Sequence, residues 1–105
     1  MAPRIPKALW SAVGALPVIL KNTLVSTDDA YGMFYSDSRT IAIDSSVSKA
    51  TQLATFWHEA THVALWDSGV EQSLTDPQLE AVCDAMGAYL AGMMVAGCLT
   101  VRAPT

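Results

Sequence analysis

Two histidines and a glutamate lie close together near the middle of the chain, in the pattern His58-Glu59-Ala60-Thr61-His62. On an α-helix, residues i and i+4 lie one turn apart on the same face, so His58 and His62 can direct their imidazoles at one point. Such a pair suits a tetrahedral Zn²⁺ ion with nitrogen ligands at about 2.0–2.1 Å. Glu59 lies about 100° around the helix from His58, where it can take a proton from a metal-activated water. This HExxH motif is typical of zinc metallopeptidases.

The surroundings of the motif favour metal binding over a chance pattern. His58 and His62 are the only histidines in the chain. The apolar residues of the same helix are predicted to lie on the side away from them: Leu53, Phe56, Ala60, Val63 and Ala64. Two histidines and a glutamate in such a helix would be costly to bury without partners, and a bound ion would remove that cost.

A third protein ligand has to come from another part of the chain. The extended metzincin pattern would have Gly at 65 and His at 68, whereas the chain has Leu65 and Ser68. Glu80 and Asp84 are candidates, because they are four residues apart on the next predicted helix and a carboxylate often completes a two-histidine site. Cys83 lies near the same face, although a lone cysteine in an apolar helix is more often a packing residue. The residues alone leave this choice open.

The elements before the motif are predicted to be short strands. Strands are expected at residues 17–25, 31–35 and 40–44, with turns at 26–29 and 36–39. In residues 40–44 the isoleucines alternate with other residues, so one face of that strand should be buried. The strand is short and follows a turn, which suggests a sheet edge that could take an extended peptide as an additional strand.

Two helices follow the strands. The motif helix is expected to start after a cap at Ser45, Ser46 or Ser48, to run to about residue 67 and to end near Gly69. After a loop at residues 70–74, the sequence Thr-Asp-Pro-Gln at 75–78 matches a capping box, and a last helix should run from there to about residue 94 or beyond.

The last helix is predicted to have two different faces. Small residues on the Glu80 face should let it pack closely on the motif helix: Gly87, Ala88 and Ala91. Bulky residues on the other face are expected in the core: Val82, Met86, Tyr89 and Met93.

Two apolar stretches, residues 8–20 and 85–101, are interpreted as buried rather than membrane-spanning. The first resembles the start of a signal peptide, but Gly14 and Pro17 interrupt it, so we expect a short helix at residues 5–15. The second is interrupted by three glycines and is expected to be a buried core helix.

The segments TIAID at residues 40–44, FWHEATHVAL at 56–65 and LTDPQLEAV at 74–82 carry a resemblance to a known group. They resemble the small zincin metallopeptidases of the ImmA/IrrE-like group, in particular its short phage and prophage members. The resemblance covers residues 40–90, about half the chain. It implies bound zinc, an α+β zincin core and a cleft beside an edge strand.

The resemblance also implies roles for individual residues. An acidic residue at the position of Glu80 supplies the third zinc ligand in this group. Asp84, one turn further along, would then be suited to hydrogen-bond the free ring N–H of His58 or His62. Because the chain has no further histidine to stabilise an oxyanion, the remaining candidates for that role are Tyr31, Tyr35, Tyr89 and Arg39.

Composition excludes several classes of protein. A chain of 105 residues fits one domain, and 51% hydrophobic with 15% charged residues excludes a disordered chain. Only 6 Lys and Arg, with a net charge of −4, make a nucleic-acid-binding module improbable. Cys83 and Cys98 are predicted about 22 Å apart on one helix, beyond disulfide reach, so reduced thiols and a cytoplasmic location are expected.

The sequence therefore predicts a single α+β zincin-like domain over residues 1–105, with a small antiparallel sheet packed on the HExxH helix and with N- and C-terminal helices. Zn²⁺ would be held by His58, His62 and Glu80, with Glu59 as general base. The function would be hydrolysis of a peptide or protein substrate, with no nucleic acid or membrane as partner. The alternatives are a non-catalytic, zinc-stabilised protein-binding module and a vestigial, empty site.

Overall fold

The computed structural model describes residues 4–28 and 30–100. Within these residues the protein is a small mixed α+β domain with a four-stranded sheet and three helices. The elements in chain order are β1 Ala8–Ser11, β2 Gly14–Lys21, α1 Leu24–Asp28, β3 Gly32–Tyr35, β4 Thr40–Asp44, α2 Lys49–Ser68, a 3-10 turn Val70–Ser73, and α3 Asp76–Val95.

The sheet is mixed, with the strand order β1-β2-β4-β3. The β1–β2 and β3–β4 pairs are antiparallel, but β2 pairs with β4 in parallel. The prediction of an antiparallel sheet is therefore wrong for its central pair. The reason is that the chain passes through α1 and β3 between β2 and β4, so that β4 returns in the same direction as β2.

β4 has the bounds that the sequence predicted, but not the predicted edge position. It is hydrogen-bonded to β2 on one side and to β3 on the other. Both of its faces are covered, since Ile41, Ala42, Ile43 and Asp44 are all 0% exposed. The free edge next to this hairpin belongs to β3 instead.

The N-terminal part forms a hairpin rather than the predicted helix at residues 5–15. Gly14 has a φ of 122°, a value that glycine adopts without strain, and it starts β2 directly after the turn. Ser11 closes this turn, because its hydroxyl donates to the carbonyl of Gly14 at 2.8 Å and accepts from the N–H of Val13 at 3.1 Å. Apolar residues of this segment therefore alternate between sheet faces instead of following a helical period.

α1 replaces the end of the predicted strand at residues 17–25 and most of the predicted turn at 26–29. β2 ends at Lys21, and residues 24–28 are helical. Asp29 lies outside the described residues. At the start of α1 the N–H of Val25 donates to the carboxylate of Asp44 in β4, 19 residues further along the chain, and for this reason local propensity did not reveal the helix.

The ends of the two long helices confirm the predicted signals. The Ser48 hydroxyl accepts from the N–H of Thr51, and Gly69 ends α2 with a φ of 79°. At the start of α3 both hydrogen bonds of the capping box between Thr75 and Gln78 are present. The predicted loop at residues 70–74 contains the 3-10 turn Val70–Ser73.

α2 lies between the sheet and α3, so that the domain has three layers. The core between the sheet and α2 is formed by Leu16, Ile41, Ile43, Phe56 and Val63. The predicted apolar side of α2 is buried apart from Ala64, which is exposed. The central layer thus carries the HExxH motif and has packing partners on two sides.

The predicted close packing of small α3 residues on α2 is confirmed at Gly87 and Ala91, which are buried, whereas Ala88 is exposed. The predicted burial of the bulky side is wrong for Val82, Met86 and Tyr89, which are 37%, 40% and 62% exposed, and Met93 is half-buried. The reason is that α3 packs mainly on α2 and forms an outer layer, so that its bulky side is not covered by another described element. The prediction that Cys83 and Cys98 share a helix is also wrong, because α3 ends at Val95; both cysteines are free. None of the described helices combines the length and apolarity needed to cross a bilayer.

Asp44 joins α1 to the sheet. Its Oδ2 accepts from the N–H of Val25 at 2.9 Å, and its Oδ1 accepts from the N–H of Ser46 at 2.7 Å and from the Ser46 hydroxyl. The Ser46 hydroxyl bond and then the Val25 bond hold the pKa of this carboxyl below its usual value.

We therefore expect Asp44→Asn to lower the melting temperature, because an amide NH₂ would replace one acceptor and face N–H donors. A carboxyl whose pKa is lowered in the folded state stabilises the protein above its unfolded pKa of 3.8 and loses that contribution as the pH falls through the folded pKa. The difference between parent and variant should thus be full at pH 7 and shrink below about pH 4. Thermal unfolding at several pH values measures it. Asp37→Asn, an exposed hairpin substitution, is the control, and an equal loss in that variant would contradict the assignment.

Candidate metal centre

The HExxH residues lie on the side of α2 that faces the start of α3. The rings of His58 and His62 are 5.0 Å apart between centroids, and their side chains are 19% and 16% exposed. Because α2 continues from Lys49 to Ser68 without interruption, the motif is held on a rigid helix. The two imidazoles therefore open to the same cleft, as their spacing predicted.

Glu80 reaches across from α3 to both imidazoles. Its Oε2 lies 3.3 Å from Nε2 of His58, and its Oε1 lies 3.2 Å from Nε2 of His62. Two atoms that bind one tetrahedral zinc ion at 2.0–2.1 Å lie about 3.3 Å apart. Each oxygen of Glu80 is thus at a ligand-to-ligand distance from one histidine.

Asp84 lies behind His58, on the other side of its ring. Its Oδ1 is 2.8 Å from Nδ1 of His58. A hydrogen bond from Nδ1–H to this carboxylate leaves Nε2 as the unprotonated nitrogen, and that nitrogen faces Glu80. The position of Asp84 agrees with the orienting role expected from the sequence rather than with direct ligation through Nε2.

The possible ligand atoms fall into two overlapping groups. His58, Glu59 and His62 offer atoms within 4.8 Å of one another, and so do His58, Glu80 and Asp84. His58 belongs to both groups. The predicted ligands thus gather around His58, with His62 in one group and Glu80 in the other.

Cys83 belongs to neither group, although it is close to them along α3. It is 0% exposed and packs among the buried residues of the helix. Burial, together with the neighbouring carboxylates, raises the pKa of its thiol to about 12. A thiol that stays protonated is a poor metal ligand, so the packing role is favoured.

Glu59 is a buried carboxylate without a hydrogen-bond partner in the part of the chain that the structure describes. It is 7% exposed, and its Oε2 lies 3.9 Å from Nε2 of His58. Burial, followed by the charge of Glu80, raises its pKa to about 7. A buried acid that makes no hydrogen bond and whose pKa is raised in this way is a candidate for binding a ligand or exchanging a proton.

Burial has the opposite effect on His62. It lowers the pKa of this imidazole, and the charge of His58 acts in the same direction, while Glu80 opposes them. The neutral form is therefore favoured at neutral pH. Neutral imidazole is the form that can bind a metal ion.

The site opens into a cleft of about 870 Å³ between β3, α2 and the first turns of α3. β3 forms one wall with Gly32, Met33 and Phe34, and its outer side has no neighbouring strand in the described sheet. The edge beside the candidate centre is therefore β3, and not β4 as the sequence suggested.

Two glycines set the closeness of the elements around the centre. A Cβ on Gly32 would lie 2.5 Å from Cγ2 of Thr55 and 3.3 Å from Cγ of Glu59. A Cβ on Gly87 would lie 3.0 Å from the carbonyl oxygen of Ala54 and from the backbone nitrogen of His58. β3 and α3 can thus approach the motif only because these positions lack side chains.

The four oxyanion candidates lie in different places. Tyr31 lines the cleft and is 55% exposed. Arg39 instead forms a bidentate ion pair with Asp67, with both N–O distances at 2.9 Å, and the ring of Tyr35 lies 5.3 Å from the ammonium of Lys21. Arg39, Tyr35 and Tyr89 do not line the cleft. Tyr31 is the candidate that the fold brings to the site.

Two further residues of the cleft are Trp66, which the sequence places next to the motif as a residue that could keep the site dry, and Glu71, which sequence reasoning missed. Trp66 is in the last turns of α2, and Glu71 is in the 3-10 turn that was expected to be a loop. Their nearness to His62 along α2 and the following turn was the available signal. Comparison of the chain with family profiles, curated proteins and solved structures gives no match.

We expect Gly87→Ala to destabilise the protein by about 1 kcal/mol, because overpacking costs about 1–3 kcal/mol and is offset only in part by a gain in helix propensity of about 1 kcal/mol. Gly92→Ala is the matched control, since a Cβ at this α3 position meets nothing within 4 Å, and it should be stabilising. Chemical denaturation of both variants measures the difference. Equal stabilisation by both would show that α3 has room to move away from His58.

Proposed function

We propose that this protein is a zinc-dependent peptidase, with His58, His62 and Glu80 as metal ligands and Glu59 as general base. The observation that carries the proposal is the position of Glu80, whose two oxygens lie 3.3 and 3.2 Å from the Nε2 atoms of the HExxH histidines. Zinc, the peptidase activity and the zincin relationship are all part of this proposal.

The donor set supports zinc as the ion. Two neutral imidazoles and a carboxylate are a ligand set found in catalytic zinc sites, which keep one position open. Asp84 occupies the other nitrogen of His58, and Cys83 belongs to neither group of possible ligands. Apart from Glu59, which the proposal assigns as the base, no fourth protein ligand is evident among the described residues. This favours a catalytic site over a closed structural one. When bound, zinc would polarise the substrate carbonyl and lower the pKa of water.

Glu59 is suited to move the proton. Its carboxylate lies beside His58 and lines the cleft, without a hydrogen bond that would have to be broken. A base with a pKa near neutrality can accept a proton from the attacking water and then donate it to the leaving amine. Burial at 7% exposure also keeps bulk water away from this exchange.

The free edge of β3 supports an extended peptide as substrate. A peptide lying along Gly32, Met33 and Phe34 would pair its main chain with this edge and pass the HExxH face of α2. Main-chain pairing recognises many sequences, and the side-chain pockets of the cleft would add selectivity. Tyr31, which precedes this edge and lines the cleft, would donate its hydroxyl hydrogen to a developing oxyanion.

The second candidate is a zinc-stabilised module that binds a protein without cleaving it. It is favoured by one observation, the exposed bulky side of α3, where Val82, Met86 and Tyr89 are 37–62% exposed. Apolar surface of this kind often marks a protein contact. The two candidates share the metal ligands and differ in the need for Glu59.

Substitution of the two carboxylates should separate ligand from orienting residue. We expect Glu80→Gln to lose more zinc affinity than Asp84→Asn, because Gln removes a charged ligand whereas Asn only loosens the orientation of His58. Loss of an orienting partner typically weakens metal binding about 10–100-fold. Competition with a chromophoric chelator measures both, and His58→Ala is the reference for a lost ligand. The opposite ranking would show that Asp84 is the ligand.

Glu59→Gln should abolish peptide hydrolysis while zinc content stays at the parental level, because this change keeps the shape and removes the base. General-base catalysis typically contributes about 10²–10⁴-fold, so kcat should fall by at least about 100-fold. Quenched fluorescent peptides report cleavage, and elemental analysis reports zinc. His62→Ala, which should lose zinc and activity together, is the comparison. Unchanged cleavage in Glu59→Gln would exclude the proposed mechanism.

A further inference from the structure

The cleft carries charge of one sign. Its lining residues include four carboxylates and no lysine or arginine: Glu59, Glu71, Glu80 and Asp84. Two cations of the described chain are engaged elsewhere, Arg39 with Asp67 and Lys21 over the ring of Tyr35. A cleft lined by one sign of charge focuses the electrostatic field and attracts ligands of the opposite sign.

A divalent ion at the centre would cancel at most two of the charges that these carboxylates can carry. Three of the carboxylates have partners at the candidate centre. Glu80 faces both histidines, Asp84 contacts Nδ1 of His58, and Glu59, within the motif, lies 3.9 Å from His58. Glu71 is left over. Its side chain makes no hydrogen bond or close ion pair with the described residues, although it is partly buried in the cleft wall and its charge acts on His62.

Glu71 is held in place by the backbone around it. It lies in the 3-10 turn between α2 and α3, after the left-handed Gly69, and its carbonyl accepts from the N–H of Leu74 at 3.1 Å. A short, hydrogen-bonded turn fixes the backbone of Glu71 relative to α2, the helix that carries His62. A carboxylate at the wall of a cleft that makes no hydrogen bond or close ion pair is suited to recognise an opposite charge on a ligand.

Trp66 lines the same cleft and exposes 52% of its surface. An indole ring is the most favourable aromatic face for an ammonium or guanidinium group. The ring and the Glu71 carboxylate together offer the two features that bind a lysine or arginine side chain. Glu59 lines the same cleft, is 7% exposed and makes no hydrogen bond with the described residues, so it is a buried acid that a ligand could partner.

We propose that the cleft selects peptide segments that carry a lysine or arginine, with the basic side chain bound by Glu71 and the ring of Trp66. This inference rests on the proposed peptide substrate and adds its charge class. The basic group could be a side chain or the free amino terminus of a peptide, since both present a cation. The experiment has to separate these two sources.

The test uses N-acetylated decapeptide libraries that differ at one scanned position, which holds arginine, its neutral analogue citrulline, or glutamate. We expect kcat/KM to be about fivefold higher for arginine than for citrulline at the best position, the upper range of a solvent-accessible ion pair. Glutamate should be worse than citrulline, and added salt should reduce the differences. A neutral peptide with a free amino terminus, compared with its acetylated form, tests the other source of the charge.

Glu71→Gln should bring the arginine-to-citrulline ratio close to one. Asp37→Asn removes one negative charge on the exposed hairpin outside the cleft, and it should keep the parental ratio. Binding of the same peptides to the zinc-loaded Glu59→Gln protein, followed by fluorescence anisotropy, gives a second readout that does not require cleavage.

The outcomes separate this inference from the proposed function. Cleavage or binding without a charge preference, a preference that survives Glu71→Gln, or one that depends only on a free amino terminus would overturn the basic side chain as the selected group and leave the peptidase proposal standing. Charge-selective binding without cleavage would support the inference and overturn the peptidase. Neither cleavage nor binding of any library peptide would overturn the inference.

Discussion

The close approach of α3 to α2 is the constraint on which the candidate centre depends. Gly87 leaves 3.0 Å between the position of an added Cβ and the backbone of His58. Because α3 lies this close, Glu80 and Asp84, which precede Gly87 by two turns and one turn, reach both sides of the His58 ring. A wider helix pair would leave the histidines without a carboxylate. The small residues of α3 therefore position the carboxylates at the candidate site, although they contribute no polar group to it themselves.

Much of the site was predictable because it depends on local rules. The HExxH spacing places two imidazoles on one helical face, and the capping box at Thr75 fixes where α3 starts and hence the phase of Glu80. Gly69 ends α2 at the expected place for the same kind of reason. Short-range hydrogen bonds and the helical period are encoded in a few neighbouring residues, so the sequence carries them directly.

The wrong predictions concern relations between distant parts of the chain. Whether β4 lies at an edge depends on β2, which pairs with it from more than twenty residues away. The helix α1 depends on the Asp44 carboxylate in the same way. The bulky side of α3 was expected in the core because of its residue types, yet the layer order puts it outside. In the N-terminal segment, composition alone favoured a helix, but the positive φ of Gly14 allows the tight turn of a hairpin.

The layer order has a consequence for the thermodynamics of the domain. Since α3 rests mainly on α2, its undocking would leave the sheet and its core with α2 intact, as a local opening rather than global unfolding. Ligand atoms for an ion come from both of these helices. Under linkage, any ion that binds only the docked arrangement adds its binding free energy to the cohesion of the helix pair. The fraction of molecules with α3 docked on α2 would then depend on the free-ion concentration around the domain.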